Sequence, residues 1–233
     1  MGGVGKKPVY LYRIVKFEHL LQLFQDRELF FSNPRSWDDP YETRLSHPAF
    51  DSAAAECWCK HSVSDAMWRI YSPHQLGVRI KTTRAILTEQ LRSAIVGKGR
   101  YSHRIADVTY IPQAEINKRL LLLEKKLVLD NEPTRALAPL FWKRRAFLHE
   151  AEVRAVVYDK KAKQPISNAR IPVDPHRLVG SILIDPRAPD EIVSMYTHYL
   201  RMKVKFKGRV GKSELYSREP LHPHLRAGHQ VHD

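Results

Sequence analysis

Glu150 and Glu152 stand two residues apart in the stretch 142–158, WKRRAFLHEAEVRAVVY, directly ahead of an alternating apolar run at Val153, Ala155 and Val157. In an extended segment residues i and i+2 share a face, so the spacing predicts two carboxylates pointing the same way from the edge of a strand. Two like charges side by side cost free energy unless a cation, a metal ion or a polar ligand compensates them. Arg144, Arg145 and Arg154 flank the pair, which makes a salt-bridged surface strand the plainest outcome and a ligand-binding acid pair the alternative. A second lone charge sits near the other end of the chain. Arg13 is the only charged residue in VYLYRIV (9–15), and a guanidinium in mid-strand must find a carboxylate or a phosphate, because burying it unpaired is prohibitive.

The elements that would position these groups follow from periodicity. Residues 9–15 alternate as a strand, 17–25 carry apolar residues at helical spacing, and 29–32 (LFFS) read as a second strand. NPRSWDDPYE (33–42) is a loop by its turn residues, acid-rich and aromatic, so Trp37, Asp39, Tyr41 and Glu42 are candidates for a pocket lining. Asp38 or Asp39 ahead of Pro40 reads equally well as a helix entry. CWCKHSVSDAMWRIY (57–71) predicts a strand running through Ser62 into a helix that starts near Ser64, with Met67, Trp68 and Tyr71 on one face. Further strands are expected at 77–81, 105–111 and 171–183, with closing strands at 204–206 and 214–216. Helices are expected at 83–95, 114–129 and 188–202.

Composition narrows the class. The 233 residues are 43% apolar and carry 39 Lys and Arg against 25 Asp and Glu, a net charge of +14, which favours a polyanionic partner or an anionic cofactor. No Pro/Gly/Ser-rich linker divides the chain, so a single α+β domain over 9–217 is expected, between a disordered lead at 1–8 and a disordered His-rich tail at 218–233. Cys57 and Cys59 are too close for an ordinary disulfide, which points to a reduced, cytoplasmic protein. No secretion signal and no apolar run long enough for a bilayer is present. GGVGKK at the start lacks both a preceding strand and the Ser or Thr of a phosphate-binding loop. Cys57, Cys59 and His61 lack the second ligand pair of a zinc site, so no metal is expected.

The order LYR, FSNPRSWDDPYE, MWRIY, G-V-x-I and E-x-E-x-R resembles a bacterial family of domains of unknown function over residues 9–216. The chain is also distantly similar to ADP-ribosyltransferases, and nearest to their DNA-modifying toxin branch. Those proteins open on a strand ending in Arg or His, use a later strand bearing Ser or Tyr, and finish on a strand-edge glutamate preceded two residues earlier by Glu or Gln. The resemblance implies a mixed or antiparallel split sheet with flanking helices and NAD as substrate. It also implies a bacterial toxin or phage-defence role and DNA or RNA as acceptor. It matches Arg13 to the first-strand cation, Glu152 to the last glutamate and Glu150 to its companion, with Ser32, Asn33, Ser62, Ser64 and Tyr71 as further NAD contacts. Which of Ser62, Ser64 and Tyr71 fills the middle position stays open. Two other readings stand beside it: a magnesium-dependent nuclease built on Asp38, Asp39, Glu150 and Glu152, and a nucleic-acid-binding domain without chemistry. Oligomeric state is not legible.

Overall fold

A computed structural model describes residues 7–95, 100–129, 133–159, 161 and 165–217; most of the expected lead and the whole of the expected His-rich tail lie outside them. The chain opens with strand β1 (Tyr10–Lys16), helix α1 (Phe17–Asp26) and strand β2 (Glu28–Ser32), turning between the last two on Arg27 at φ 56°. After the short helix α2 (Pro48–Asp51) come β3 (Ala53–Cys59), α3 (Asp65–Tyr71), β4 (Gly77–Thr83) and α4 (Arg84–Ile95). The middle holds β5 (Tyr101–Asp107), β6 (Thr109–Ile111), α5 (Gln113–Leu129), α6 (Pro133–Ala136), β7 (Trp142–Arg144) and β8 (Glu152–Asp159). The chain continues through β9 (Asn168–Pro172), α7 (Pro175–Leu178), β10 (Ser181–Ile184), α8 (Asp190–Met202) and β11 (Arg209–Lys212).

Nine strands form one mixed, mainly antiparallel sheet in the order β11-β10-β4-β1-β3-β2-β9, with β8 and then β5 added along the other side of β3. The fold is a single α+β domain with flanking helices. The sheet is split at β3. One edge of β3 pairs with β8 along its whole length, Ala53↔Tyr158 to Cys59↔Glu152. The opposite edge meets β1 only at Tyr12↔Cys59 and β2 only at Ser32↔Ala55. Between those two contacts, at residues 56–58, the ladder is interrupted and the sheet opens.

Alternation along the strands sorts the side chains onto two faces. Leu11, Trp58, Ile80, Val153, Ala155, Val157 and Ile182 build the larger core with α1, α4 and α8. Ala53, Ala55 and Val156 belong to a second core under Phe50, Leu120 and Phe141. Each large apolar side chain so buried contributes about 1.5–3 kcal/mol.

Several expectations are corrected. β8 is buried on both faces between β3 and β5 and is not the salt-bridged surface strand that was the plainest outcome. The strand through Cys57 ends at Cys59, short of Ser62, because Cys59 Sγ accepts the His61 N–H and turns the chain. Residues 105–111 break at Val108 into β5 and β6, whose partners lie in different sheets. Residues 171–183 hold the end of β9, α7 and most of β10, because Asp174 caps a helix with Pro175 at its first turn. The closing strand falls at β11, while 214–216 is a 3-10 turn. Residues 43–56, given no element by periodicity, supply α2 and most of β3.

Candidate active site

The break at residues 56–58 opens into a cleft of about 490 Å³, counted out to solvent. β1 lines it with Tyr12, Arg13 and Ile14, β3 with Cys57, Trp58 and Cys59, α3 with Met67 and Tyr71, the segment leading into β8 with Glu150, and the first residue of β8 with Glu152. Ser64 caps α3, its Oγ accepting the Met67 N–H at 3.3 Å, which sets Met67 and Tyr71 over the opening.

Both acids reach the cleft, though not by strand alternation. Glu150 ends a 3-10 segment (Arg145–Glu150), and Ala151 lies in the left-handed region at φ 42° before β8 begins. An alanine is disfavoured there by roughly 1–2 kcal/mol. Two main-chain bonds hold it: Ala151 N–H donates to Leu148 O at 3.2 Å, and its carbonyl accepts Lys60 N–H at 3.1 Å.

The compensation that the pair demands is internal and buried. Arg154 forks onto Glu152, Nε to Oε1 and Nη2 to Oε2, both at 2.8 Å, and also ion-pairs with Glu42. Lys143 Nζ donates to Glu150 Oε2 at 2.5 Å and Glu152 Oε2 at 3.4 Å, and lies 3.9 Å from Glu42. Three acids thus share two cations beneath the cleft, and all five residues are buried. Arg154 and Lys143 hold Glu152 below the usual carboxylate range against the opposing effect of burial, so it is ionised at neutral pH. Burial pushes the Glu42 carboxyl up despite the same two cations, and pushes the Cys57 thiol up beside Glu152. The Tyr110 hydroxyl accepts the Glu152 N–H at 2.8 Å, fixing the strand start.

Arg13 enters from the other side of the split. It shares Leu11's face of β1, whereas Glu152, like Val156, belongs to the opposite face of β8. Its guanidinium ion-pairs with the buried Glu56 across the gap, and burial lowers its proton affinity. The first-strand cation and the late acids therefore border one cleft from opposite faces of a parted sheet.

The remaining candidates lie elsewhere. Ser32 Oγ donates to Ala55 O at 3.4 Å, and Asn33 bonds Ile166 O and caps the turn at Pro34–Ser36. Both tie β2 to its neighbours. Ser62 is exposed and Ser64 is spent as a helix cap; of the three middle candidates only Tyr71 lines the cleft. The expected pocket loop packs beneath the acids instead. Trp37 stacks under the Arg154 guanidinium, 4.3 Å from its ring centre, Asp39 pairs with Arg144, Tyr41 lies under Arg144, and Glu42 reaches Arg154. Asp39 and the Glu150–Glu152 pair are held by separate cations, and among the described residues no group of three or more His, Cys, Asp and Glu side chains is placed to hold a metal ion.

Sequence reasoning missed Glu56 and Lys143. Glu56 is the one charge in AAAECWC, the same signal that marked Arg13, and the two lone charges meet. Lys143 stood in a basic KRR run, where nothing in the sequence tells which of three cations turns inward.

No family model matches the sequence and no curated protein matches it. Among solved structures the chain is similar to Thermus sp. 2.9 DarT in complex with ADP-ribosylated ssDNA, at 11% identity and TM-score 0.43, over 92% of this chain and 98% of that one. It is similar to the same protein in complex with NAD+ (11% identity, TM-score 0.43, 89% and 96%) and with carba-NAD+ (12%, 0.43, 89% and 97%). At this similarity the chemistry has to be read from the chain's own residues. No helix among the described residues is long and apolar enough to cross a membrane.

The buried cluster makes a prediction with a defined sign. Glu42, whose folded pKa is raised above 4.5, contributes stability that is present below that value and lost as pH rises through the folded pKa. Glu152, whose folded pKa is lowered, contributes stability that is present above 4.5 and lost as pH falls through the folded pKa. Glu42→Gln is therefore expected to melt within about 4 °C of the parent at pH 7, roughly 1 kcal/mol for a chain of this size. In thermal unfolding from pH 8 down to pH 4.5, the parent should gain on the variant as Glu42 takes up its proton. A parent that loses ground instead would show that Glu42 is held in its charged form.

Proposed function

We propose that this chain is an ADP-ribosyltransferase that takes NAD as substrate and a nucleic acid as acceptor. The observation that supports the reading is that Arg13 and the pair Glu150 and Glu152 border one cleft at the parting of the sheet. Their residue types suit the reaction. Cleavage of the nicotinamide glycosidic bond passes through an oxocarbenium-like state, and an ionised carboxylate beside the ribose stabilises the positive charge that develops. Glu152, anchored by Arg154 and ionised, takes that part. Glu150 uses one oxygen on Lys143, and its Oε1 is the acceptor for a proton from the incoming nucleophile. The bond from ribose C1′ to nicotinamide breaks as the bond to the acceptor forms, and nicotinamide departs as the neutral base. Arg13 offers its donors to the pyrophosphate while Glu56 holds its position. Met67 and Tyr71 provide an apolar wall for the nicotinamide ring.

The test is transfer of label from NAD to a single-stranded oligonucleotide, with nicotinamide release followed in parallel. Arg13→Ala is expected to raise KM for NAD about tenfold or more with a smaller change in kcat, since the cation binds ground and transition states alike. Arg13→Lys should recover only part, because a point charge does not replace a fork. Unchanged KM in Arg13→Ala would remove this residue from the site. One observation favours a second reading, binding without turnover: both Glu152 oxygens already accept from Arg154. NAD bound in calorimetry with no nicotinamide released would establish it.

A further inference from the structure

Helix α5 carries four leucines in a row, residues 120–123, and a helix turns only part of such a run toward one side. Ile116, Leu120 and Leu123 take the inner side and join the second core. Leu121, Leu122 and Val128 are left in solvent, 61%, 50% and 86% exposed. High helix propensity accounts for a surface leucine but not for Val128, whose branched side chain is stiff and disfavoured in a helix. Ala114, Lys118, Leu121, Lys125 and Val128, all exposed, follow one another at intervals of four, three, four and three residues. That is the period of a seam against a second helix. The cations in the seam select its occupant. Among the described residues neither Lys118 nor Lys125 has a carboxylate within ion-pair distance, whereas Arg119 on the flank is held by Glu115 at 2.8 Å. A second copy laid on this stripe in either direction would set the lysines against each other, and like charges across an interface are strongly unfavourable. A membrane surface suits a broad apolar face, wider than this strip between cations. A helix with an apolar stripe flanked by carboxylates matches both the period and the charge.

We infer that the outer face of α5 docks an acidic amphipathic helix of a partner protein, its apolar stripe on Leu121, Leu122 and Val128 and its carboxylates on Lys118 and Lys125. The face is separate from the cleft, whose walls include no residue of α5. It is nevertheless tied to the loop beneath the buried acids, because Gln113 of the same helix donates to the Tyr41 hydroxyl and Asn117 accepts from Arg44 just beyond that loop. Docking here does not depend on the transferase reading, and a chain without activity would bind the partner equally.

The test is fluorescence anisotropy of two labelled synthetic helices with the full chain. One has three heptads with leucine along one stripe and glutamate on both flanks; its twin has lysine for every glutamate. The glutamate peptide is expected to bind at least about tenfold tighter than the lysine peptide. Leu121→Ala combined with Val128→Ala should weaken it at least about tenfold, the loss of two anchoring side chains. Both positions are exposed and alanine favours a helix, so this variant should melt within about 2 °C of the parent. Lys125→Glu should lose the glutamate peptide and gain the lysine peptide, and a gain cannot come from unfolding. Lys203→Glu, an exposed change of the same charge on α8, should leave the preference as it is in the parent. The two peptides binding alike, or the alanine variant binding as tightly as the parent, would overturn the proposal. So would a dimer in sedimentation that Leu121→Ala dissolves, which would make a second copy the occupant. Binding of the parent to vesicles of phosphatidylserine and phosphatidylcholine, lost in the alanine variant, would overturn it in favour of a membrane surface.

Discussion

Glu152→Gln is expected to slow label transfer from NAD at least about a hundredfold while the chain stays folded. The rate follows from losing a carboxylate at the developing charge, an effect typically of about 10² to 10³ for one preorganised electrostatic group. The retained fold follows from the charge count in the buried cluster. Glu42, Glu150 and Glu152 face Lys143 and Arg154, so removing one acid leaves two against two, and the amide oxygen of Gln still accepts from Arg154. Thermal unfolding within about 5 °C of the parent, with transfer gone, is the expected pair of results. Transfer that persists would take Glu152 out of the chemistry and leave Glu150 to be tested in the same way.

Arg154→Leu reverses that count and should show it in stability. Three buried acids would face Lys143 alone, the Leu140 carbonyl would lose its 2.8 Å donor, and Trp37 would lose the guanidinium that stacks on it. Removing one partner of a buried ion pair costs about 3–5 kcal/mol because the remaining charge is stranded. For a chain of this length that is a fall of about 6–20 °C in Tm. Adding Glu42→Gln and Glu152→Gln to the same background should restore a large share of it, since the stranded charges go with them. An Arg154→Leu chain that melts with the parent would mean that the cluster does not hold the loop of Trp37 and Glu42 beneath β8.

Where local chemistry decides conformation, the sequence was a good guide. The start of α3 at Ser64 and the strands β1 and β4 each depend on neighbours in the chain. It was a poor guide where a partner strand decides. Residues 105–111 look like one strand but divide at Val108, because β5 joins β8 while β6 joins β7. The E-x-E pair looked like two residues of one strand face, but a left-handed Ala151 separates them, and that backbone is held by Leu148 and Lys60. The loop 33–42 was rightly read as acid-rich and aromatic. Its direction, into the protein beneath Glu152 and away from the cleft, depends on Arg154 and Arg144, more than a hundred residues away.

By itself the sequence determined that Arg13 and the acids at 150 and 152 needed partners, because an isolated charge among apolar residues cannot be buried alone. Only the tertiary structure decided who those partners are: Glu56 for Arg13, and Arg154 with Lys143 for the acids. It also decided that the two sets meet at a gap where β3 leaves β1, since hydrogen bonding between strands distant in sequence, and not any local pattern, sets where a sheet parts.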